Sequence, residues 1–301
     1  MVASSRFVLI GVLLLVLVAA APAAAADLHV TPSGTGTSNC TSTQPCSASR
    51  ADALAAPGDT VQVGPGRYGP LSVTQGGISG APVTWRSTTH WAAHFPIVRI
   101  EASAPFVTFA GFDVGDDGGG TLLGVSGSYS RIIGNHVHNS TAGCVSGGGI
   151  VIAGYQHGGY NGVGGEVSGN VVEDIGVGPR NGTCSTFHGI YSAIPRVLIS
   201  NNVERRALGH GIHLWHAARD NTIVNNTVSD NGESGILVGA GDDGATGVTP
   251  IGTGNFVANN IVEGNVEWGI TRAATTVPRG AGTRTCRISA GATATATMPP
   301  S

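Results

Sequence analysis

A short phrase that returns along the middle of the chain constrains the fold more than any other feature. In it, two or three apolar residues precede a small residue, an asparagine and a β-branched stretch, as in IIGNHV, VSGNVV, ISNNVE, IVNNTV and VANNIV. The marker residues are Phe112, Asn135, Asn170, Asn202, Asn226 and Asn260. Successive markers are 23, 35, 32, 24 and 34 residues apart. The shorter steps fit one coil of a solenoid, and the longer ones fit a coil with an inserted loop of about ten residues.

A second phrase, Gly-Ile, interleaves with the first and opens a further strand in each coil. Its glycines are Gly149, Gly189, Gly211, Gly235 and Gly269, and in the last three coils each follows the marker asparagine by 9 residues. Parallel strands stacked in this way place like residues about 4.8 Å apart, and stacked asparagines can form a hydrogen-bonded ladder. We therefore predict an all-β, right-handed parallel β-helix over residues 27–271.

The two ends of the chain do not share the repeat. Arg6, the apolar run 7–20 and the small residues before Asp27 are typical of a signal peptide over residues 1–26, with a retained anchor as the alternative. We therefore expect a secreted, extracellular protein with no membrane span after cleavage. Residues 272–301 show no repeat and are expected to be irregular, either as a truncated or frame-shifted end or as a natural flexible linker.

The charged residues exclude several functions. All 15 basic residues are arginines, so a mechanism that needs a lysine base is excluded. The arginines are not clustered, so we expect no nucleic-acid partner, because phosphate binding needs a basic surface. We expect a monomer that binds a polysaccharide. If that polysaccharide is acidic, a few individually positioned arginines would have to bind it.

Cysteines in an exported chain favour disulfides. Cys40 and Cys46 lie close together in a loop rich in Ser, Thr and Pro. Cys144 and Cys184 each lie 5 residues before a Gly-Ile glycine, and equal offsets on adjacent coils bring their Cα atoms within disulfide range. We predict the pairs Cys40–Cys46 and Cys144–Cys184, which leaves Cys286 over.

The segment ahead of the coils carries a resemblance to a known superfamily. Residues 51–56 are a short helical candidate that would cover the open first coil. The residues that match the family phrases AxPGDTV, GxY and GxxGxPIT are Ala55, Pro57, Gly58, Asp59, Thr60, Val61, Gly66, Tyr68, Gly77, Gly80, Pro82 and Thr84. Together with the coils, this stretch closely resembles secreted right-handed parallel β-helix proteins of the pectate-lyase-like superfamily. The resemblance implies the fold and leaves the activity open, because the superfamily includes lyases, hydrolases, epimerases and adhesive proteins.

The Gly-Ile strands are expected to carry the richest polar and aromatic surface. Because side chains alternate along a strand, the residue after each Ile points outward. This column contains Val151, Tyr191, His213, Leu237 and Thr271. The residues before the glycines form a second column of Gly148, His188, His210, Ser234 and Trp268.

Two roles are open for these residues. The first is a sugar-binding groove in which histidine and tyrosine act as base and acid on the proton beside a uronate carboxyl group. The second is structural, with the histidines hydrogen-bonded to turns. The catalytic candidates of this group are His188, Tyr191, His210 and His213, and Trp215 and His216 are substrate-binding candidates. His210 lies in a GHG element resembling that of polygalacturonases, but the aspartates that such hydrolysis needs are missing, so we exclude a hydrolase of that type.

Arginines and aspartates supply the remaining candidates. Arg205 is a catalytic candidate, and Arg206 and Arg219 are candidates to bind a substrate carboxylate, which arginine can hold through two hydrogen bonds. The alternative for Arg205 and Arg206 is a surface ladder of ion pairs. The weak metal candidates are Asp113, Asp116 and Asp117, which would suit Ca²⁺, with solvated turn acids as the alternative.

Three hypotheses follow from the sequence. The first is a secreted carbohydrate-active enzyme, a polysaccharide lyase or epimerase acting on a uronate polysaccharide. The second is a non-catalytic glycan-binding or cell-surface protein that uses the same groove. The third is a structural or remnant β-helix without a ligand site.

Overall fold

The chain winds through three parallel sheets, which we number 1, 2 and 3 in the order in which each coil visits them. The computed structural model describes residues 24–241, 252–273 and the backbone of residues 287–288. Within these residues, eight successive coils each contribute one strand to every sheet. The predicted all-β right-handed parallel β-helix is confirmed.

Sheet 1 contains β1 (Asp27–Thr35), β2 (Thr60–Val63), β5 (Val83–Ser87), β8 (Val107–Ala110), β11 (Ser130–Ile133), β16 (Gly165–Ser168), β19 (Val197–Ser200), β22 (Thr222–Val224), β25 (Phe256–Ala258) and β28 (Arg287–Ile288). Sheet 2 contains β3 (Gly66–Arg67), β6 (Ala93–Phe95), β9 (Asp113–Gly115), β12 (His136–Ser140), β17 (Val171–Ile175), β20 (Val203–Arg205), β23 (Thr227–Ser229) and β26 (Ile261–Glu263). Sheet 3 contains β4 (Leu71–Val73), β7 (Val98–Ile100), β10 (Thr121–Val125), β13 (Gly147–Ile152), β18 (Phe187–Ser192), β21 (Ile212–Leu214), β24 (Ile236–Val238) and β27 (Ile270–Arg272). An antiparallel hairpin of β14 (Tyr155–Gln156) and β15 (Gly159–Tyr160) is inserted after β13.

The core is the space enclosed by the three sheets. Alternate side chains of each strand point into it, so β-branched residues of successive coils stack on one another. On sheet 3 the predicted inward residues are buried: Ile150, Ile152, Ile190, Ser192, Ile212, Leu214, Ile236 and Val238. The first coils add aromatic rings, with Phe109 stacked on Phe112 at a centroid distance of 4.1 Å.

Buried asparagines at the turn from sheet 1 to sheet 2 join successive coils. The Oδ1 atom of Asn202 accepts hydrogen bonds from the backbone N and the Nδ2 of Asn170, at 3.0 and 2.9 Å. The Nδ2 of Asn202 donates to the Oδ1 of Asn226 and to the backbone O of Val167, each at 2.9 Å. The same pattern continues to Asn135 at one end and Asn260 at the other. The predicted ladder is confirmed, and it also satisfies backbone groups of the turns.

The residue before each marker explains the small residue in the repeated phrase. Gly134 and Gly169 have φ angles of 62° and 67°, and Asn201, Asn225 and Asn259 have φ angles between 54° and 58°. This left-handed conformation is open to glycine without steric cost and is tolerated by asparagine better than by most residues. The turn therefore selects Gly or Asn at that position.

The helix that covers the first coil begins earlier than predicted. It runs from Ala48 to Leu54 rather than over residues 51–56. Ser47 caps its start, because the side chain of Ser47 accepts a hydrogen bond from the backbone N of Arg50 at 3.2 Å. The helix stops before Ala56, since a residue that precedes proline disfavours the helical conformation.

Both predicted disulfides are present. The Cα atoms are 4.6 Å apart in Cys40–Cys46 and 5.6 Å apart in Cys144–Cys184. Cys286 lies outside the described residues, as does the predicted signal peptide except for residues 24–26. In the tail, residues 287–288 form β28, which pairs in parallel with β25. No helix in the described part of the chain is long and apolar enough to cross a membrane.

We expect Asn202→Ala to destabilise the protein strongly. The change leaves buried partners on the neighbouring coils without a hydrogen bond, and each buried group left unpaired costs about 1–3 kcal/mol. The urea midpoint of unfolding, followed by circular dichroism, should fall markedly. The control Asn161→Ala removes an exposed asparagine outside the ladder and should unfold as the wild type does. Equal midpoints for the two variants would contradict a structural role for the ladder.

Candidate functional site

A cleft of about 590 Å³ lies on the outer face of sheet 3. The histidines and aromatic residues that the sequence placed there line it together: His188, Tyr191, His210, His213, Trp215 and His216. Tyr191 pairs with His213 across β18 and β21, and on either side the column continues to Val151 and Leu237. The predicted column is therefore present in the predicted register.

Inserted loops form the walls of the cleft. On one side stands the β14–β15 hairpin, whose Tyr160 stacks on His216 with ring centroids 3.9 Å apart. On the other side, Ser146 and Thr186 belong to the two loops that the Cys144–Cys184 disulfide joins. Tyr160 and Tyr155 were not among the residues expected from the sequence. The available signal was the segment YQHGGY, in which two tyrosines flank a glycine-rich turn.

His188 and His213 form a buried pair at the floor of the cleft. The Nδ1 of His213 lies 3.0 Å from the Nε2 of His188. Burial lowers the pKa of His188 to about 3, and the nearby His210 adds to the shift. Burial also lowers the pKa of His213, with a further contribution from His188. Both rings are therefore neutral at pH 7, and one proton lies between them.

The pair can exist in two tautomeric arrangements. If His213 donates from Nδ1, its Nε2 carries a lone pair. If His188 donates from Nε2, the Nε2 of His213 carries a proton. Neither the Nε2 of His213 nor the Nδ1 of His188 has a hydrogen-bond partner among the described residues, although both atoms are buried. The two arrangements therefore differ in whether His213 Nε2 is an acceptor or a donor.

His210 has a defined tautomer. The backbone N of Ser234 donates to His210 Nδ1 at 3.2 Å, so this nitrogen is the acceptor. The proton therefore resides on Nε2, which lies 3.1 Å from a carboxylate oxygen of Glu233. Burial raises the pKa of Glu233 to about 7, and Glu267 adds to the shift. Burial lowers the pKa of His210. Both ring nitrogens have protein partners, which agrees with the structural alternative for this histidine.

Trp215 is held flat against the backbone of the next coil. Its indole ring occupies the space that a side chain would need at Gly239 and Gly241, where an added Cβ would clash with ring atoms. The ring is half-buried and also packs beside His213, with centroids 5.4 Å apart. Trp215 therefore presents a fixed aromatic surface to the cleft.

None of the three candidate arginines lines the cleft. On sheet 2, Arg205 and Arg206 are both paired with Glu173, and Arg206 also makes two hydrogen bonds to Asp174, at 2.7 and 2.6 Å. These contacts are the ion-pair ladder that was the alternative interpretation. Arg219 is exposed and lines a separate depression of about 310 Å³ on the far side of Tyr160.

Arg99 is the cation that the sequence analysis missed. It lies in the outward column of sheet 3, where Gly124 separates it from Val151. Its Nη2 donates to the backbone O of Thr121, a residue that lines the cleft, at 2.9 Å. The Nε–H has no partner among the described residues. Arg99 therefore places a guanidinium group beside one end of the cleft.

The three candidate aspartates do not converge on one point. Asp113 lies among histidines of sheet 2, and its carboxylate contacts His94, His136 and His138. Asp116 pairs with Arg67 at 3.4 Å, and Asp117 accepts a hydrogen bond from the backbone N of Gly119 at 2.6 Å. A calcium site that uses all three carboxylates is therefore not formed. Asp113 instead belongs to a cluster whose other members are imidazoles.

A buried glutamate lies beneath the histidines. Glu204 is fully buried, and the absence of a Cβ at Gly189 and Gly211 makes room for its carboxyl group. One carboxyl oxygen accepts a hydrogen bond from Asn231 Nδ2 at 2.8 Å. Burial raises the pKa of Glu204 to about 8, although the hydrogen bond from Asn231 acts in the opposite direction. Gly189 and Gly211 are therefore required because the carboxyl group of Glu204 lies close to the backbone at both positions.

The fold of the chain is similar to that of two solved proteins. Pectate lyase Pel9A superposes with a TM-score of 0.59 at 18% identity, over 82% of this chain and 68% of that chain. The chain has the pectate-lyase-like parallel β-helix fold. A second solved structure, XylC in complex with xylose, superposes with a TM-score of 0.51 at 13% identity, over 82% of this chain and 68% of that chain. No family model and no curated protein matches the sequence.

The buried glutamate predicts an unusual pH dependence of stability. The pKa of Glu204 in the folded protein lies above its ordinary value of 4.5, so folding favours the protonated form. The corresponding stability is fully present below about pH 4.5 and is lost as the pH rises towards 8. Glu204→Gln cannot ionise, so its melting temperature should rise relative to that of the wild type between pH 5 and about pH 8.5. The control Glu166→Gln replaces an outward glutamate of β16 and should not show this rise over the same pH range. A constant difference for Glu204→Gln would show that Glu204 is not buried as a neutral acid.

Proposed function

We propose that the protein is a carbohydrate-active β-helix protein whose cleft on sheet 3 holds an acidic polysaccharide. Its activity is that of a lyase or an epimerase, which removes the proton beside a uronate carboxyl group. The observation that supports this most is the neutral His188–His213 pair next to Tyr191 in a cleft of suitable size. Cavities of about 300–1,000 Å³ are typical of ligand sites.

His213 and Tyr191 are the acid–base pair in this proposal. Their rings are 5.3 Å apart and lie side by side on adjacent coils, so both can face one sugar unit. His213 accepts the proton at Nε2, an atom that is buried in the free protein and that substrate binding must uncover. The proton on its Nδ1 can then pass to His188, which spreads the positive charge over two rings. A bound uronate favours this step, because a nearby negative charge raises the pKa of an imidazole.

Arg99 supplies the positive charge that an acidic polymer needs. Its guanidinium lies at the level of β10, two strand spacings from Tyr191, which corresponds to about 10 Å along the sheet. At that distance it would contact a neighbouring sugar unit rather than the reacting one. The Nε–H and the second Nη2 proton form one edge of the guanidinium, which suits a carboxylate.

The two disulfides support export of the protein. Disulfides persist in oxidising compartments and are rare in the cytosol. A secreted protein would also meet a polysaccharide outside the cell.

A second candidate function is glycan binding without catalysis. The residues that line the cleft, within the described chain, include aromatic and histidine side chains but no arginine, aspartate or glutamate. Tyr155 is 52% exposed, and Tyr160 and Trp215 add two further rings. Such a surface suits the apolar face of a sugar, including a neutral one.

The enzymatic proposal predicts a product from uronate polymers. A lyase should release unsaturated, ultraviolet-absorbing products from pectate, alginate or a glycosaminoglycan, and an epimerase should change the ratio of the two uronate epimers. Tyr191→Phe and His213→Ala should lower the rate at least about 100-fold, because acid–base groups contribute about 10²–10⁴-fold.

The matched control for this assay is His29→Ala, which changes a histidine on sheet 1 and should keep the wild-type rate. Absence of product from the wild type on all three polymers would contradict the enzymatic proposal. Full activity of Tyr191→Phe would contradict the role of Tyr191.

The binding proposal predicts retention on a glycan affinity gel without products. Trp215→Ala removes the fixed aromatic surface and should weaken retention at least about tenfold, which corresponds to about 1.4 kcal/mol. Trp91→Ala removes a partly exposed tryptophan away from the cleft and should bind as the wild type does. If both variants were retained equally, the glycan would not bind against Trp215.

A further inference from the structure

We propose that Asp113, His136 and His138, the histidine–aspartate cluster on sheet 2, bind one divalent transition-metal ion of the Zn²⁺ type. This site lies on a different sheet from the cleft and does not depend on the activity proposed for it.

The register of two strands brings the three side chains together. Asp113 of β9 is the direct neighbour of His136 of β12, and His138 follows on the same face of β12. The two imidazole rings are stacked with centroids 4.1 Å apart. Asp113 Oδ1 lies 3.0 Å from His136 Nδ1 and 2.8 Å from His138 Nε2. One ligand atom from each residue therefore converges within 4.8 Å of the others.

This set of atoms matches the preferences of zinc and similar ions. Zinc is bound by imidazole nitrogens and carboxylate oxygens at about 2.0–2.2 Å, and many sites use three protein ligands and leave a position for water. In the protein without an ion, His136 Nδ1 and His138 Nε2 each form a hydrogen bond with Asp113 Oδ1. An ion at this point takes the place of the protons in these hydrogen bonds and contacts all three atoms after small side-chain movements. Calcium does not suit the set, because it prefers six to eight oxygen ligands.

Residues around the cluster fix the orientation of its members. Arg67 Nη2 donates to His94 Nε2 at 3.0 Å, so the proton of His94 resides on Nδ1, which donates to Asp113 Oδ2 at 2.7 Å. That bond leaves Oδ1 for the ion. His136 Nε2 donates to Glu173 Oε1 at 3.0 Å, which leaves Nδ1 for the ion. Ligating histidines commonly donate their second ring N–H to a carboxylate in this way.

The cluster is open enough for an ion to enter. The side chains of Asp113, His136 and His138 are 20%, 22% and 12% exposed. His210, Glu233 and Glu267 form a second group of closely spaced ligand atoms near the cleft. In that group His210 and Glu233 are buried, whereas all three members of the cluster on sheet 2 are partly exposed. The cluster on sheet 2 is therefore the better site.

The test is titration of Zn²⁺ into the purified full-length chain, without added histidines, by isothermal calorimetry. We expect one ion per chain. His138→Ala and His138→Gln should weaken binding at least about 100-fold, since each removes a direct ligand. Glu173→Gln, which changes an orienting partner, should weaken it about 10–100-fold. The control variants His210→Ala and His157→Ala should bind as the wild type does.

A second readout separates loss of a ligand from loss of the fold. Co²⁺ in place of Zn²⁺ should give a visible absorption spectrum that His138→Gln changes while its circular dichroism remains that of the wild type. Zinc should also raise the melting temperature of the wild type, because an ion that binds only the folded state stabilises it. The proposal is overturned if the wild type binds no Zn²⁺, if His138→Gln binds as the wild type does, or if His210→Ala abolishes binding.

Discussion

Hydrogen bonds between buried asparagine side chains hold successive coils in register, and the other features of the structure depend on that register. Each amide inside the ladder, from Asn135 to Asn226, accepts from the coil before it and donates to the coil after it. A slip of one residue would unpair these amides and would turn every strand over, because side chains alternate between the two faces. The cost of unpaired buried amides therefore excludes other alignments of the coils.

The columns created by that register account for the chemistry of both candidate sites. On sheet 3, stacking brings the two buried histidines within hydrogen-bond distance although they are 25 residues apart in the chain. On sheet 2, the same spacing brings Asp113 to His136 and His138. Inside the core, Glu204 occupies space left by glycines of the adjoining sheet. One repeat geometry thus produces a neutral histidine pair outside the core and a protonated acid within it.

The sequence predicted what the repeat controls. Residues at the same separation from the marker asparagines or the Gly-Ile glycines stack on one another in successive coils. The sequence therefore predicted the asparagine ladder, the Tyr191–His213 column and the Cys144–Cys184 pair. It did not predict what lies outside the repeat. The hairpin that carries Tyr155 and Tyr160 is an insertion, and nothing in its spacing indicates where it folds back. The long side chain of Arg99 reaches across Gly124 to the next coil, so its strand position does not show where its charge lies. Arg205 was a catalytic candidate and Arg206 a substrate-binding candidate, because their ion pairs with Glu173 and Asp174 could be inferred from the sequence only as an alternative.

The pairing of Cys144 with Cys184 reports the register directly, because the two loops meet only if β13 and β18 are neighbours in the predicted alignment. It can be measured by proteolysis of the unreduced protein and mass spectrometry of the peptides. The account predicts a peptide pair that contains Cys144 and Cys184 and that separates on reduction. A peptide in which Cys144 is linked to Cys286, or in which Cys144 and Cys184 are both free thiols in protein purified under oxidising conditions, would contradict it.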